Sequence, residues 1–189
     1  MTIIYFVRHA EPDYNIHDDL TRPLTSKGKK DVELVNNFLE DKHIDVVLSS
    51  PFLRAIETVN KFSEKTNTNI IVIDDFRERK IDNCWIEDFN KFSMKQWNDF
   101  DYKLSNGECL REVQQRNINA LKKILIEYEN QNIVIGSHGT ALSTIINYYD
   151  KSFCYDNFNE IRTLMPWIVK FTFNSEHCVE IEKINVFTL

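Results

Sequence analysis

The chain has 189 residues, 42% of them hydrophobic and 28% charged, and 29 acids against 23 bases give a net charge of -6. That length supports one domain with a real core. The acidic balance excludes a surface built to coat nucleic acid, while leaving room for a local basic pocket. Cys84, Cys109, Cys154 and Cys178 form no C-x-x-C pair, so neither a zinc ribbon nor a thioredoxin-type motif is indicated, and free thiols in a reducing compartment are expected.

Taken in chain order, the first apolar run is Ile3 to Val7, which meets Arg8 after a few residues. It is too short for a leader's hydrophobic region or a membrane span, and no later run approaches ~18 apolar residues. A cytoplasmic protein is expected. Three more short runs follow: Asp45 to Leu48, Asn69 to Ile73 and Asn132 to Ile135. Each is rich in β-branched residues, and unbroken apolarity predicts strands buried on both faces.

Helical patterns lie between these runs. One opens at Thr25 and carries Val32, Val35, Phe38 and Leu39 on one face. Ser50-Pro51 predicts another, with Ser50 as N-cap and Pro51 in the first turn. A third is expected from Glu108 to Tyr128 and a fourth after Gly139. The segments Trp167 to Phe173 and Cys178 to Phe187 read as a hairpin that extends the sheet. Residues 80–107 are aromatic and weakly patterned, and are expected to form short helices of a lid or pocket wall. Alternating strands and helices predict an α/β fold: a three-layer α/β/α sandwich with a mostly parallel central sheet and a C-terminal hairpin, spanning residues 1–189 as a single domain.

Ligands of such sheets sit at the carboxyl ends of the strands. Those ends carry Arg8 and His9, then Ser49, Ser50 and Arg54, then Glu78, and finally Ser137, His138 and Gly139. The set suits a phosphoryl group. Guanidiniums match phosphate oxygens bidentately and stay charged. Backbone N–H groups at the helix starts after Ser50 and Gly139 add donors. A neutral imidazole attacks phosphorus, and a nearby carboxylic acid protonates the leaving oxygen.

Arg8-His9-Ala10-Glu11 resembles the Arg-His-Gly signature of the histidine phosphatase superfamily, the phosphoglycerate-mutase-like proteins. The similarity continues through Asn15, Arg22-Pro23-Leu24-Thr25 with Gly28, Ser49-Ser50-Pro51-Phe52-Leu53-Arg54-Ala55 with Thr58, and Phe76-Arg77-Glu78. It goes on through Gly107-Glu108, Arg116 and Ser137-His138-Gly139. The resemblance implies roles. His9 is the nucleophile that becomes phosphohistidine. Arg8, Arg54 and His138 hold the phosphoryl oxygens. Glu78 is the general acid and then the base, and Asn15 and Gly139 belong to the phosphate or substrate site. It implies no metal and no cofactor. His138 is expected to be protonated so that it can donate to phosphate, and His9 to be neutral, with its other ring nitrogen bonded to a backbone carbonyl.

The chain departs from the family pattern in places. Ala10 stands for the usual Gly, Pro12 for Ser or Thr, and Cys109 for Ser. After Glu78, where the family pattern has a Gly, Asn83 is expected to take the left-handed turn if the loop is one residue longer. Glu11 and Asp75 are substitute acids, and Glu11 or Glu57 could pair with Arg54. His17, His43 and His177 read as surface residues. A zinc site on His9 and His138 is disfavoured by two arginines, and Ile135-Gly136-Ser137-His138-Gly139 is out of step with a serine-hydrolase elbow. The short stretch between Lys80 and Glu108 favours a phosphatase over the alternatives, a cofactor-dependent phosphoglycerate mutase or a catalytically weak phosphate-binding regulatory module. The expected partner is a small phosphorylated metabolite, with no nucleic acid and no membrane, and a monomer or homodimer as the assembly.

Overall fold

The computed structural model describes residues 1–189. Four strands, β1 (Thr2–Arg8), β2 (Val46–Ser49), β3 (Ile70–Val72) and β4 (Asn132–Ser137), run parallel. A hairpin of β5 (Trp167–Asn174) and β6 (His177–Ile184) adds antiparallel to β1. The sheet order is β3-β2-β4-β1-β5-β6. The α/β fold class, the parallel sheet and the C-terminal hairpin expected from the sequence are all present.

The central strands are apolar on both faces because helices cover both. Ile4, Phe6, Leu48, Ile133 and Ile135 face the larger core. That core is closed by α4 (Leu110–Glu127), α5 (Gly139–Tyr149) and α6 (Tyr155–Ile161), with Trp97 from α3 (Phe89–Asn98). Their neighbours Tyr5, Val7, Val47 and Val134 face the smaller core under α1 (Ser26–Leu39) and α2 (Leu53–Thr66). Period-2 alternation therefore divides one unbroken apolar run between two cores.

This arrangement places the site. The chain leaves β1 towards α1 on one face, and leaves the neighbouring β4 towards α5 on the other. The crevice beyond the carboxyl ends of β1 and β4 is the switch point at which parallel sheets bind ligands.

Several expectations are corrected. β3 is an edge strand: Ile71 and Val72 are 43% and 49% exposed, because no strand covers its outer side. α2 begins at Leu53 with Phe52 at the cap position, so Pro51 lies outside the helix and Ser50 is not its N-cap. Instead Ser50 Oγ accepts the Phe52 N–H at 3.2 Å and meets His138. Asn83 does not adopt a left-handed conformation; the non-glycine residues that do are His43, Asn67, Asn130 and Ser175. Residues 80–107 contain one helix, α3, whose Phe92 and Trp97 are buried. α6 was not foreseen in the sequence.

Candidate active site

The sequence motifs converge because each is tied to a neighbouring element. Thr25 caps α1 by accepting the Gly28 N–H at 3.0 Å, and it donates to Glu11 Oε1 at 2.8 Å. A Cβ on Gly28 would sit 2.3 Å from the Glu11 carbonyl, so this close approach requires glycine. Thr58 Oγ1 accepts the Ala10 N–H at 3.0 Å and donates to the Arg54 carbonyl at 2.7 Å, joining the loop after β1 to α2. Ala10 is fully buried with a negative φ, which explains why alanine serves where the family pattern has glycine.

His9 follows β1 and is 5% exposed. Its Nδ1 lies 2.7 Å from the Ala10 carbonyl. A carbonyl only accepts, so Nδ1 carries the proton and Nε2 keeps its lone pair. Burial, then the charges of Arg54 and Arg8, hold the His9 pKa well below that of an ordinary histidine. The ring is therefore neutral at physiological pH, as a nucleophile must be.

His138 is fully buried, with its ring centroid 5.3 Å from that of His9. Its Nε2 is 2.7 Å from Ser50 Oγ, and its Nδ1 has no partner. Burial, Arg54 and His9 depress its pKa well below the usual value. Protonation of His138, expected for donation to phosphate, thus works against desolvation and the neighbouring cations and calls for the charge of the phosphoryl group itself.

A cavity of about 590 Å³ is lined by Arg8, His9, Arg54, Glu78 and Gly139, whereas His138, fully buried, is not on its wall. Arg8 Nη1 and Nη2 donate to the carbonyls of Ile161 and Arg162 at 2.6 and 2.8 Å, at the end of α6. The guanidinium satisfies carbonyls that a helix end leaves open, while its Nε is buried without a partner. Gly139 makes room for it, since a Cβ there would meet Arg8 Cζ at 3.0 Å. Arg54 pairs with neither Glu11 nor Glu57. Its Nη1 donates to the Asp19 carbonyl at 2.7 Å and its Nη2 to Asp19 Oδ1 at 3.2 Å.

Glu78 reaches the start of α5. Its Oε2 accepts the Thr140 N–H at 2.9 Å, and Oε1 accepts from Ala141 at 3.0 Å and from Arg79 at 2.7 Å. The α5 N–H groups that the sequence suggested for phosphate are therefore occupied by this carboxylate. Arg116 holds the loop in place, donating to the carbonyls of Asp75 and Arg77 at 2.7 and 2.8 Å while pairing with Glu108. The Gly107-Glu108 and Arg116 motifs thus act on the site by positioning Glu78. The substitute acids do not reach the cavity wall: Glu11 binds Thr25, and Asp75 faces Arg77.

Asn15 is not brought in. It is exposed, bonded to Asp13 Oδ1 at 2.9 Å, and outside the cavity lining. His17 is exposed, as expected, and also stacks on Trp85 at 4.3 Å and lines the cavity. His43 and His177 are exposed, as expected. Asp19, Arg22, Arg79 and Arg162 also line the cavity. Asp18 accepting the Thr21 N–H at 2.8 Å is a turn signal that could have directed attention to Asp19. Arg162 lies in a stretch without a readable pattern.

The sheet, the buried histidine pair and the surrounding arginines define a phosphoryl-binding α/β enzyme fold, and a family model places it further. Residues 4–184 match the histidine phosphatase superfamily (branch 1), and the chain belongs to that family. It is 27% identical over 150 residues to the uncharacterized phosphatase PhoE of Bacillus subtilis (77% of this chain, 76% of that one). It is 28% identical to phosphoserine phosphatase 1 of Hydrogenobacter thermophilus (73% and 71%). It is also 28% identical to the probable phosphoglycerate mutase GpmB of Serratia proteamaculans (78% and 74%). It shares its fold with a phosphoserine phosphatase from Entamoeba histolytica solved with phosphoserine, at a TM-score of 0.75, 21% identity and 96% of each chain.

Proposed function

We propose that this chain is a phosphomonoester hydrolase acting on small phosphorylated metabolites through a phosphohistidine formed on His9. The observation that carries this reading is the buried, neutral His9, with Nδ1 fixed by the Ala10 carbonyl. Nε2 attacks phosphorus while the ester P–O bond breaks. Glu78 gives a proton to the leaving oxygen, and general-acid help of this kind is worth ~10²–10⁴-fold. Water then attacks the phosphohistidine, its proton passes to Glu78, and phosphate leaves with His9 restored.

Arg8, Arg54 and His138 are the groups for the phosphoryl oxygens, with His138 protonated once a dianion offsets the neighbouring cations. Charge on phosphate is then met by protein groups in a site that binds no cofactor in this scheme. No helix is long and apolar enough to cross a membrane, and four free cysteines fit a reducing, cytoplasmic setting. Phosphatase-named relatives support hydrolysis. Assay of purified protein with p-nitrophenyl phosphate and with 3-phosphoglycerate tests it: hydrolysis of the former is expected, and mutase turnover exceeding hydrolysis overturns the choice.

A further inference from the structure

Gln96 of α3 is polar and fully buried, yet it lies outside the cavity lining. Burying an amide is costly unless it is hydrogen-bonded, and Gln96 uses both ends of its own. Carbonyls only accept and guanidiniums only donate, so the amide has one workable orientation. Nε2 donates to the Tyr102 and Glu108 carbonyls, each at 2.9 Å, and Oε1 accepts from Arg79 Nη1 at 2.7 Å.

Closing two loop carbonyls would need only the NH2 group. The oxygen serves Arg79, and so does the rest of that face of the helix. Phe89, Phe92 and Gln96 stand at i, i+3 and i+7, on one side of α3. The two ring centroids lie 5.5 and 5.1 Å from Arg79 Cζ, at cation–π distance. In this cradle Arg79 is 3% exposed. Its backbone N–H donates to Glu78 Oε1 at 2.7 Å. Lys80, the next residue, is bonded to Glu108 twice: its N–H donates to Oε2 at 2.9 Å and its carbonyl accepts the Glu108 N–H at 2.8 Å. Gln96 therefore grips residues 79 and 108 together. Arg116 holds the loop before Glu78, and Gln96 holds the loop after it. Buried networks of this kind select one arrangement of the groups they join.

We propose that Gln96 is a positioning residue for Glu78: by holding the Arg79 side chain against α3, it fixes the Arg79 N–H and with it the carboxylate. The chemical consequence rests on the phosphatase reading above, whereas the geometric one does not.

The test uses the full chain with Gln96→Met, which keeps side-chain volume and removes all three hydrogen bonds. It compares kcat/KM for phenyl phosphate and p-nitrophenyl phosphate. The esters share a ring, but phenolate is the more basic leaving group and needs the Glu78 proton more. The variant should lose about tenfold on phenyl phosphate and about threefold or less on the nitrophenyl ester. Adding it to Glu78→Gln should cost nothing further on phenyl phosphate, since both changes act through one group. Equal losses on the two esters, or losses that add, overturn the proposal. Amide exchange read by NMR gives a measure independent of turnover. The Thr140 and Ala141 N–H groups, covered by Glu78, should exchange about tenfold faster in the variant, and unchanged exchange there overturns the proposal. If Gln96→Met does not show a folded melting transition, Phe92→Leu replaces it in both measurements, with the same outcomes expected. If the wild type hydrolyses neither ester, the phosphatase reading fails, and exchange at Thr140 and Ala141 alone decides the positioning role.

Discussion

Asp19 holds Arg54 at two points, through its carbonyl at 2.7 Å and its carboxylate at 3.2 Å. It also pairs with Arg22 at 2.9 Å. In the proposed mechanism a phosphoryl group must take over the Arg54 donors, so Asp19 competes with substrate. Because the Asp19 side chain is 49% exposed, solvent screens the pair and its hold is modest. Asp19→Asn should tighten inhibition by inorganic phosphate about three- to tenfold. Weaker inhibition would show that Asp19 supports the site rather than competing for it.

The depressed pKa values of His9 and His138 set a pH dependence of stability. Both rings are neutral when folded and take up a proton near pH 6.5 when unfolded. Below that pH the unfolded chain binds more protons, so stability is full above it and falls as pH drops through this window. Each histidine contributes a slope of up to about 1.4 kcal/mol per pH unit. Urea titrations from pH 7.5 to 5 should show the decline, and His9→Ala should flatten part of it. A flat wild-type profile would contradict the neutral assignments.

Glu78 as proton donor predicts a dependence on the leaving group. Glu78→Gln should slow turnover of an alkyl phosphate by ~10²–10⁴-fold. It should slow phosphoryl transfer from p-nitrophenyl phosphate far less, since nitrophenolate leaves without a proton. Equal losses for both substrates would reduce Glu78 to its other visible task, holding the start of α5 through Thr140 and Ala141.

Gly139→Ala places a methyl group 3.0 Å from Arg8 Cζ. That guanidinium is held by backbone carbonyls of residues 161, 162 and 164 and has little freedom to give way. A destabilisation of about 1–3 kcal/mol in urea unfolding is expected, together with roughly tenfold lower kcat/KM, the cost of about 1.4 kcal/mol. Wild-type stability and activity would mean that Arg8 is more mobile than its three acceptors imply.

Much of the site was legible because its residues sit where short apolar runs stop. The strand ends at Arg8 and Ser137 predicted the juxtaposition of His9 and His138, since parallel pairing of β1 with β4 places Arg8 opposite Ser137. Glu78 was legible as a carboxylate near the third strand, but its seat on the α5 N–H groups was not, because that contact depends on Arg116 drawing in a loop from 38 or more residues away. Ser50 misled for a related reason. Serine before proline is a strong local cap signal, and the buried hydrogen bond to His138 outweighs it. Asp19, Arg79 and Arg162 escaped notice because their place on the cavity wall is set by distant elements, which no local pattern records.

Mass spectrometry of base-quenched protein after brief exposure to p-nitrophenyl phosphate tests the central claim most directly. One phosphoryl group is expected on the imidazole of His9, absent from His9→Ala together with turnover. A phosphoryl group on any other residue, or a His9→Ala variant that hydrolyses substrate at the wild-type rate, would contradict it.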